Sequence, residues 1–332
     1  MSAAVLAKLL AIIVSVALGW LAGRLRWLGE PGADPARILS NAAFYIFVPA
    51  LLFRTTARVD LAALPWRMLI AYFVPVVALM LLVYAWQRKR QQRRRGRDGA
   101  LPVAAPAVRA ISVGFGNTVQ MGIPMAAAVF GEAGLGLHLM LVSVHALVLL
   151  SLSTALVELD LARDKSQREG GASLWATLRS TLRNTVIHPV VLPVLAGLAW
   201  NAAGLGVPAL ADEVLQLLGS AVVPLCLVLI GLSLAYYGMQ GQVRGGMAIA
   251  AAKLLLVPAL VLGVAHWGFG LGGLPLAVMV MAAAAPVGSN ALIFAQRYTT
   301  LQAEATAAIV FSTLAFMASA PLWLAVLGRL GN

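Results

Sequence analysis

Charge is scarce in this chain. Of its 332 residues only 11% are Asp, Glu, Lys or Arg, where an ordinary soluble domain carries about a quarter. That scarcity excludes a soluble globular protein and indicates an integral membrane protein. Cysteine is almost absent: Cys226 stands alone within an apolar run, so there is no disulfide framework and no cysteine metal cluster. The four histidines, at 138, 145, 188 and 266, do not pair at metal-ligand spacing. The twelve acidic residues all fall in loops or near expected helix ends, with Glu158 and Glu304 coming closest to the interior. Proton pumps usually bury a carboxylate midway across the membrane, and the sequence offers none. His-Glu-x-x-His, Gly-x-Ser-x-Gly and paired intramembrane aspartates are also missing, so the usual catalytic constellations are excluded and an enzyme is not expected. No cofactor is expected either.

What is present is hydrophobic sequence, 61% of the chain. A spanning helix needs about 20 largely apolar residues. Ten segments qualify: 3–23, 37–55, 65–86, 103–130, 136–159, 185–204, 212–236, 246–267, 275–296 and 304–328. The first is not read as a cleaved signal, because Arg24 and Arg26 follow its apolar core and only Lys8 precedes it. Loops after the odd-numbered spans carry 17 Lys and Arg, against four on the other side. Positive charge stays on the cytoplasmic side, so both termini are expected outside. The net charge of +12 would suggest nucleic acid in a soluble protein. Here the basic run at 88–95 reads as a topology and anionic-lipid signal, so lipids are the expected partner and nucleic acid is not.

The longest polar stretch, 161–184, divides the chain into 1–160 and 185–332, five spans each. Its second part, 173–184, places Trp175, Leu178 and Leu182 on one helical face, as in a short helix lying on a membrane surface. The halves match in several places: Trp20 with Trp200, Pro49 with Pro224, and Pro75 with Pro258. An odd number of spans per half makes the second copy enter the membrane from the opposite side. The expected fold is therefore all-α and polytopic, ten transmembrane helices in two inverted five-helix repeats, with a substrate site where the halves meet.

The fourth and ninth spans are interrupted. Residues 114–124 read Gly-Phe-Gly-Asn-Thr-Val-Gln-Met-Gly-Ile-Pro, and 285–290 read Ala-Pro-Val-Gly-Ser-Asn. Glycine and proline break the helical ladder, and freed backbone groups survive in hydrocarbon only where protein or a watery cavity satisfies them. Asn117, Thr118, Gln120, Gly122 and Pro124 at the first break, with Pro286, Gly288, Ser289 and Asn290 at the second, are the expected substrate site. The two asparagines could cap the freed backbone, but because each break carries one, the favoured reading is that they bind substrate while helix N-termini supply partial positive charge to an anion. Asn41 is a further small polar point. His145 could face the cavity, relay protons or bond to a neighbouring helix. Lys253 and Arg109 are cations inside apolar spans with no buried carboxylate in view, which favours an anionic substrate. Lys253 could instead snorkel to the inner surface.

These residues resemble the auxin efflux carrier family, in its bacterial branch, over nearly the whole chain. Residues 117–124, followed by Phe130-Gly131-Glu132, look like that family's first crossover motif. Ala284-Ala285-Pro286 through Tyr298 is similar to the second, and Val48-Pro49-Ala50-Leu51-Leu52-Phe53 resembles its second span. The resemblance implies crossed, broken helices four and nine, and a fold similar to bile-acid/sodium symporters and sodium/proton antiporters. It also implies a scaffold of spans one, two, six and seven, and a small organic anion such as an auxin-like weak acid or malonate as substrate. The long central loop of the plant members is absent. A sodium-coupled symporter of the bile-acid type is the alternative, with Glu304, Thr306, Ser312 and Thr313 supplying oxygens. The coupling ion is left open between Na+ and H+, and a homodimer is left open as well.

Overall fold

The computed structural model describes residues 3–29, 34–58, 64–93, 101–119, 121–168, 191–237 and 243–330, with isolated positions at 179, 183, 186–187 and 189. The surface helix expected at 173–184, Gln120 and the end of the basic run lie outside the described residues. The described chain is helical throughout, apart from loops and one isolated β-bridge. In order, the helices are α1 (Ala3–Arg24), α2 (Pro35–Ala42), α3 (Val48–Ala57), α4 (Trp66–Gln92), α5 (Ala105–Gly114) and α6 (Gly122–Arg168). There follow α7 (Val191–Ala202), α8 (Ala209–Tyr237), α9 (Val243–Ala251), α10 (Val257–Gly263), α11 (Gly273–Ala284), α12 (Asn290–Arg297) and α13 (Gln302–Leu330). Among the described residues six helical stretches are long and apolar enough to cross a membrane: Pro35–Ala57, Trp66–Gln92, Met125–Asp164, Ala209–Tyr236, Val243–Gly268 and Gln302–Leu330. The chain is a multi-pass membrane protein.

Proline shapes two of these stretches in the same way. A π-helical turn at Ala43–Phe47 joins α2 to α3 directly before Val48-Pro49, and another at Ala252–Leu256 joins α9 to α10 directly before Val257-Pro258. Proline has no N–H for the carbonyl four residues back and its ring crowds that carbonyl; a wider π turn relieves both. For Pro258 that carbonyl belongs to Leu254, and the Trp323 indole N–H donates to it at 2.8 Å. Within α6 the helix kinks at Gly131, whose φ of 64° is one that glycine adopts readily. The expected fifth span is thus the long arm of α6 beyond that kink.

The helices pack in two groups. In one, α8 lies against α1, α2 and α3, and α7 lies against α3. In the other, α4, α5, α6 and α9 to α13 interlock. Each group carries its own ion pairs. Asp212 of α8 accepts from Arg54 of α3 at 2.8 Å and from Arg58 at 2.6 Å. In the second group Arg88 reaches Asp160 at 3.0 Å, and Arg109 reaches Glu304 at 2.7 Å.

The last two pairs correct the expectation that no carboxylate is buried. Asp160 and Glu304 are both inside, and Arg109 is not an unpartnered cation. The Arg109 guanidinium grips both Glu304 oxygens, at 2.7 and 2.8 Å, and also donates to Gln87 at 3.0 Å. The physical reason is that each acid sits near a helix end in sequence but meets an arginine from a different helix in space. Neutralisation of this kind is what lets a carboxylate be buried.

Candidate functional site

The two breaks meet. Gly114 ends α5, Phe115 turns extended at φ −83° and ψ 110°, and α6 begins at Gly122. On the other side Ala285 turns extended at φ −54° and ψ 142°, as a residue before proline prefers, and α12 begins at Asn290. The extended pieces pair antiparallel, Gly116 opposite Val287. Asn117 N–H donates to the Pro286 carbonyl at 2.7 Å, and Gly288 N–H donates to the Phe115 carbonyl at 2.9 Å. Each break thus satisfies the backbone groups that the other frees. A Cβ on Gly288 would lie 2.7 Å from the Phe115 ring and 3.0 Å from the Gly116 carbonyl oxygen, so only glycine admits this approach.

Two side chains complete the satisfaction of the breaks, and neither was assigned that part from sequence. Ser312 of α13 accepts from Val287 N–H at 3.0 Å and donates to the Ile309 carbonyl at 3.1 Å. The ring of His138, on α6, holds the Thr118 carbonyl at 2.7 Å through Nε2. A Cβ on Gly122 would stand 2.6 Å from that Nε2. The signal was present in His138 lying two helical turns before His145 on one helix face, but nothing in the sequence showed which carbonyl it would meet.

Against the paired breaks lies a cavity of about 80 Å³. Its polar wall is made by Asn117, Thr118, Ser289, Asn290 and His145, and its apolar wall by Leu51 of α3, Val142 of α6 and Val222 and Val223 of α8. The cavity therefore sits between the two helix groups. His145 is 1% exposed, its ring lies edge-on to Phe115 with centroids 4.6 Å apart, and its Nε2 has no hydrogen-bond partner. Ser289 precedes α12 without acting as a side-chain cap and lines the cavity. The Asn290 carboxamide makes no hydrogen bond among the described residues and lines the cavity. An unpartnered imidazole, an uncapped helix start and free amide hydrogens are together suited to a polar, anionic group.

The other expected site residues lie elsewhere. Gly122 and Pro286 support the breaks from outside the cavity wall, only the backbone of Pro124 is described, and Asn41 is exposed on α2. Lys253 does not snorkel. It is 0% exposed and donates to the Ala283 carbonyl in the last turn of α11, and a Cβ on Gly116 would lie 3.2 Å from its Nζ. It sits behind the crossing, where a cation offsets the negative end of a helix, and is not a cavity-lining residue. Glu304 has both oxygens occupied by Arg109, Ser312 holds the second break, Thr306 is buried with no partner for its hydroxyl, and Thr313 is half-buried. Among the described residues no group of three or more His, Cys, Asp or Glu is placed to hold a metal ion.

Two broken helices paired at a polar cavity are the arrangement by which many membrane carriers hold substrate. Residues 4–324 match the family described as membrane transport protein. The chain belongs to that family. A protein described as an uncharacterized transporter, from Methanothermobacter thermautotrophicus (strain Delta H), is 26% identical over 321 residues, covering 96% of this chain and 97% of the relative. The chain is thus a transporter and not an enzyme, and the resemblance to auxin efflux carriers read from the break motifs agrees with that membership.

Proposed function

We propose that this transporter is a secondary active carrier that moves a small organic anion across the bacterial inner membrane by alternating access. The observation that carries the reading is the cavity at the paired breaks, with the uncapped start of α12 and the unpartnered His145 Nε2 facing it. A helix N-terminus carries roughly half a positive charge and binds anions without a side-chain cation. In this reading α4 to α6 with α9 to α13 form the moving bundle, and α1 to α3 with α7 and α8 the fixed scaffold. The cavity lies on the seam between them, where a rocking motion opens it to either side.

The proposed topology is ten spans in two inverted repeats, 1–160 and 185–332 about the 161–184 linker, with the broken helices crossing and both termini outside. The paired breaks, each a short helix, an extended segment and a second helix start, support an inverted repeat. The sodium-coupled alternative gains no open ligand set from α13, because Glu304 and Ser312 already have partners.

The test is thermal stability of the purified protein against carboxylates, each paired with its neutral amide, with and without sodium. A ligand that binds only the folded state adds about 2.7 kcal/mol at 100 times its Kd. Stabilisation by a carboxylate and not by its amide is expected, followed by counterflow of that anion in proteoliposomes. Stabilisation by neutral or cationic compounds alone would refute the anion reading and leave the carrier fold standing.

A further inference from the structure

We infer that His145 is a proton-coupling site: each organic anion occupies the cavity together with one proton, held as the His145 imidazolium, so that the carrier is an anion–proton symporter. The inference rests on the anion-carrier reading above and adds the coupling ion to it.

The cavity has one titratable side chain. Asn117, Thr118, Ser289 and Asn290 line it as neutral polar groups, and among the lining residues His145 alone can change charge near neutral pH. Neither buried cation of the second helix group lines it. Arg109 has its guanidinium on Glu304, and Lys253 lies behind the crossing with its ammonium on the Ala283 carbonyl. The start of α12 at Asn290 offers about half a positive charge, which falls short of what one carboxylate brings. A carboxylate held there without a full counter-charge is costly.

The ring is equally short of a partner. His145 is buried, and its Nε2 bonds to nothing among the described residues. Around it stand Phe115, with ring centroids 4.6 Å apart, Tyr72 of α4 at 6.2 Å and Phe73 at 6.3 Å. The titratable groups that face it are Tyr72, whose hydroxyl is also unpartnered, His138 on its own helix, and Lys253 of the turn joining α9 to α10. None of these is a carboxylate, and the buried Glu304 and Asp160 are already held by Arg109 and Arg88. A lone imidazolium there would be a buried charge without a counter-ion, so without an anion the ring is neutral.

Each charge is therefore unfavourable alone and compensated in company. As a carboxylate enters, the neutral ring takes a proton from the water of that side on its lone-pair nitrogen, and Nε2–H donates to the carboxylate in a charge-assisted bond. On the other side the N–H bond breaks as the anion leaves, and the proton passes to water with it.

The experiment measures Kd for acetate, malonate and indole-3-acetate on the purified protein between about pH 6 and pH 8. Proton uptake on binding is read by calorimetry in two buffers of different ionisation heat. By linkage, one proton taken up per anion weakens binding up to about tenfold for each unit of pH rise. That slope is expected with or without sodium, together with up to one proton absorbed from the buffer. His145→Gln can donate a hydrogen bond but cannot take a proton; it should bind with a pH-independent Kd near the wild-type value at the alkaline end. A slope that persists in His145→Gln would overturn the inference, because the anion would then bring the proton on its own carboxyl group. Anion binding by the wild-type protein with no proton uptake would overturn it too, whether or not the variant folds, and would leave the anion reading standing. No binding by any of the three acids would instead fail the anion reading, and the inference with it.

Discussion

Removing Arg109 from the pair it forms with Glu304 tests whether that carboxylate is structural or belongs to an ion site. Glu304 is 2% exposed and Arg109 20% exposed, and the pair is bidentate at 2.7 and 2.8 Å. Breaking a buried pair by deleting one partner costs about 3–5 kcal/mol, because the other charge is left uncompensated. The two single variants should differ. Arg109→Gln strands the more deeply buried carboxylate and should fall at the upper end of that range. Glu304→Gln leaves Arg109 partly solvated and still bonded to Gln87 at 3.0 Å, and should fall at the lower end. Arg109→Met with Glu304→Leu removes both charges into an apolar setting and should recover most of the loss, since apolar replacement of a buried pair is often neutral or better. The assay is thermal or denaturant unfolding in detergent, with counterflow measured on the same preparations. A double variant that regains stability and transports at the wild-type rate fits a fastening role between α5 and α13. A double variant that is stable yet inactive would refute this and return Glu304 to the ion-coupling residues.

Further predictions follow from the crossing and its surroundings. Gly288→Ala puts a methyl group into the Phe115 ring and the Gly116 carbonyl; overpacking of about 1–3 kcal/mol, with strain on two backbone hydrogen bonds of about 1 kcal/mol each, should lower the melting temperature and abolish transport. Wild-type activity in that variant would mean the breaks do not hold this spacing. Trp323→Phe keeps the ring but leaves the Leu254 carbonyl without its donor, which should cost about 1–3 kcal/mol in unfolding measurements without changing substrate Kd. An unaltered unfolding midpoint would show that the carbonyl finds another donor. Cys226, the single cysteine, is fully buried on α8, the helix that supplies Val222 and Val223 to the cavity. Labelling by a membrane-permeant maleimide should be slow at rest and faster during exchange. Equal rates in both conditions would count against separation of α8 from the second break during transport.

Much of this molecule was legible one residue at a time. Scarce charge and long apolar runs require a membrane, and Gly114, Gly116, Pro286 and Gly288, clustered with polar residues, weaken the helix locally, so both breaks appeared within a few residues of their observed limits. Those are local properties of backbone and solvent. The tertiary structure decided everything that depends on who meets whom. It brought Arg109 to Glu304, across 195 positions of chain, and so turned an apparent free cation into half of a pair. It sent Lys253 to the Ala283 carbonyl and not to the membrane surface, gave Ser312 to the second break, and moved Asn41 off the cavity. It also added the apolar wall of Leu51, Val142 and Val222, which no periodicity could separate from ordinary lipid-facing or core positions. Apolar side chains carry no partner signal in sequence, and a hydrogen bond or ion pair is a statement about distance in space. The sequence therefore determined where the chain breaks and what solvent it lives in, while packing alone decided which groups face the cavity between the breaks.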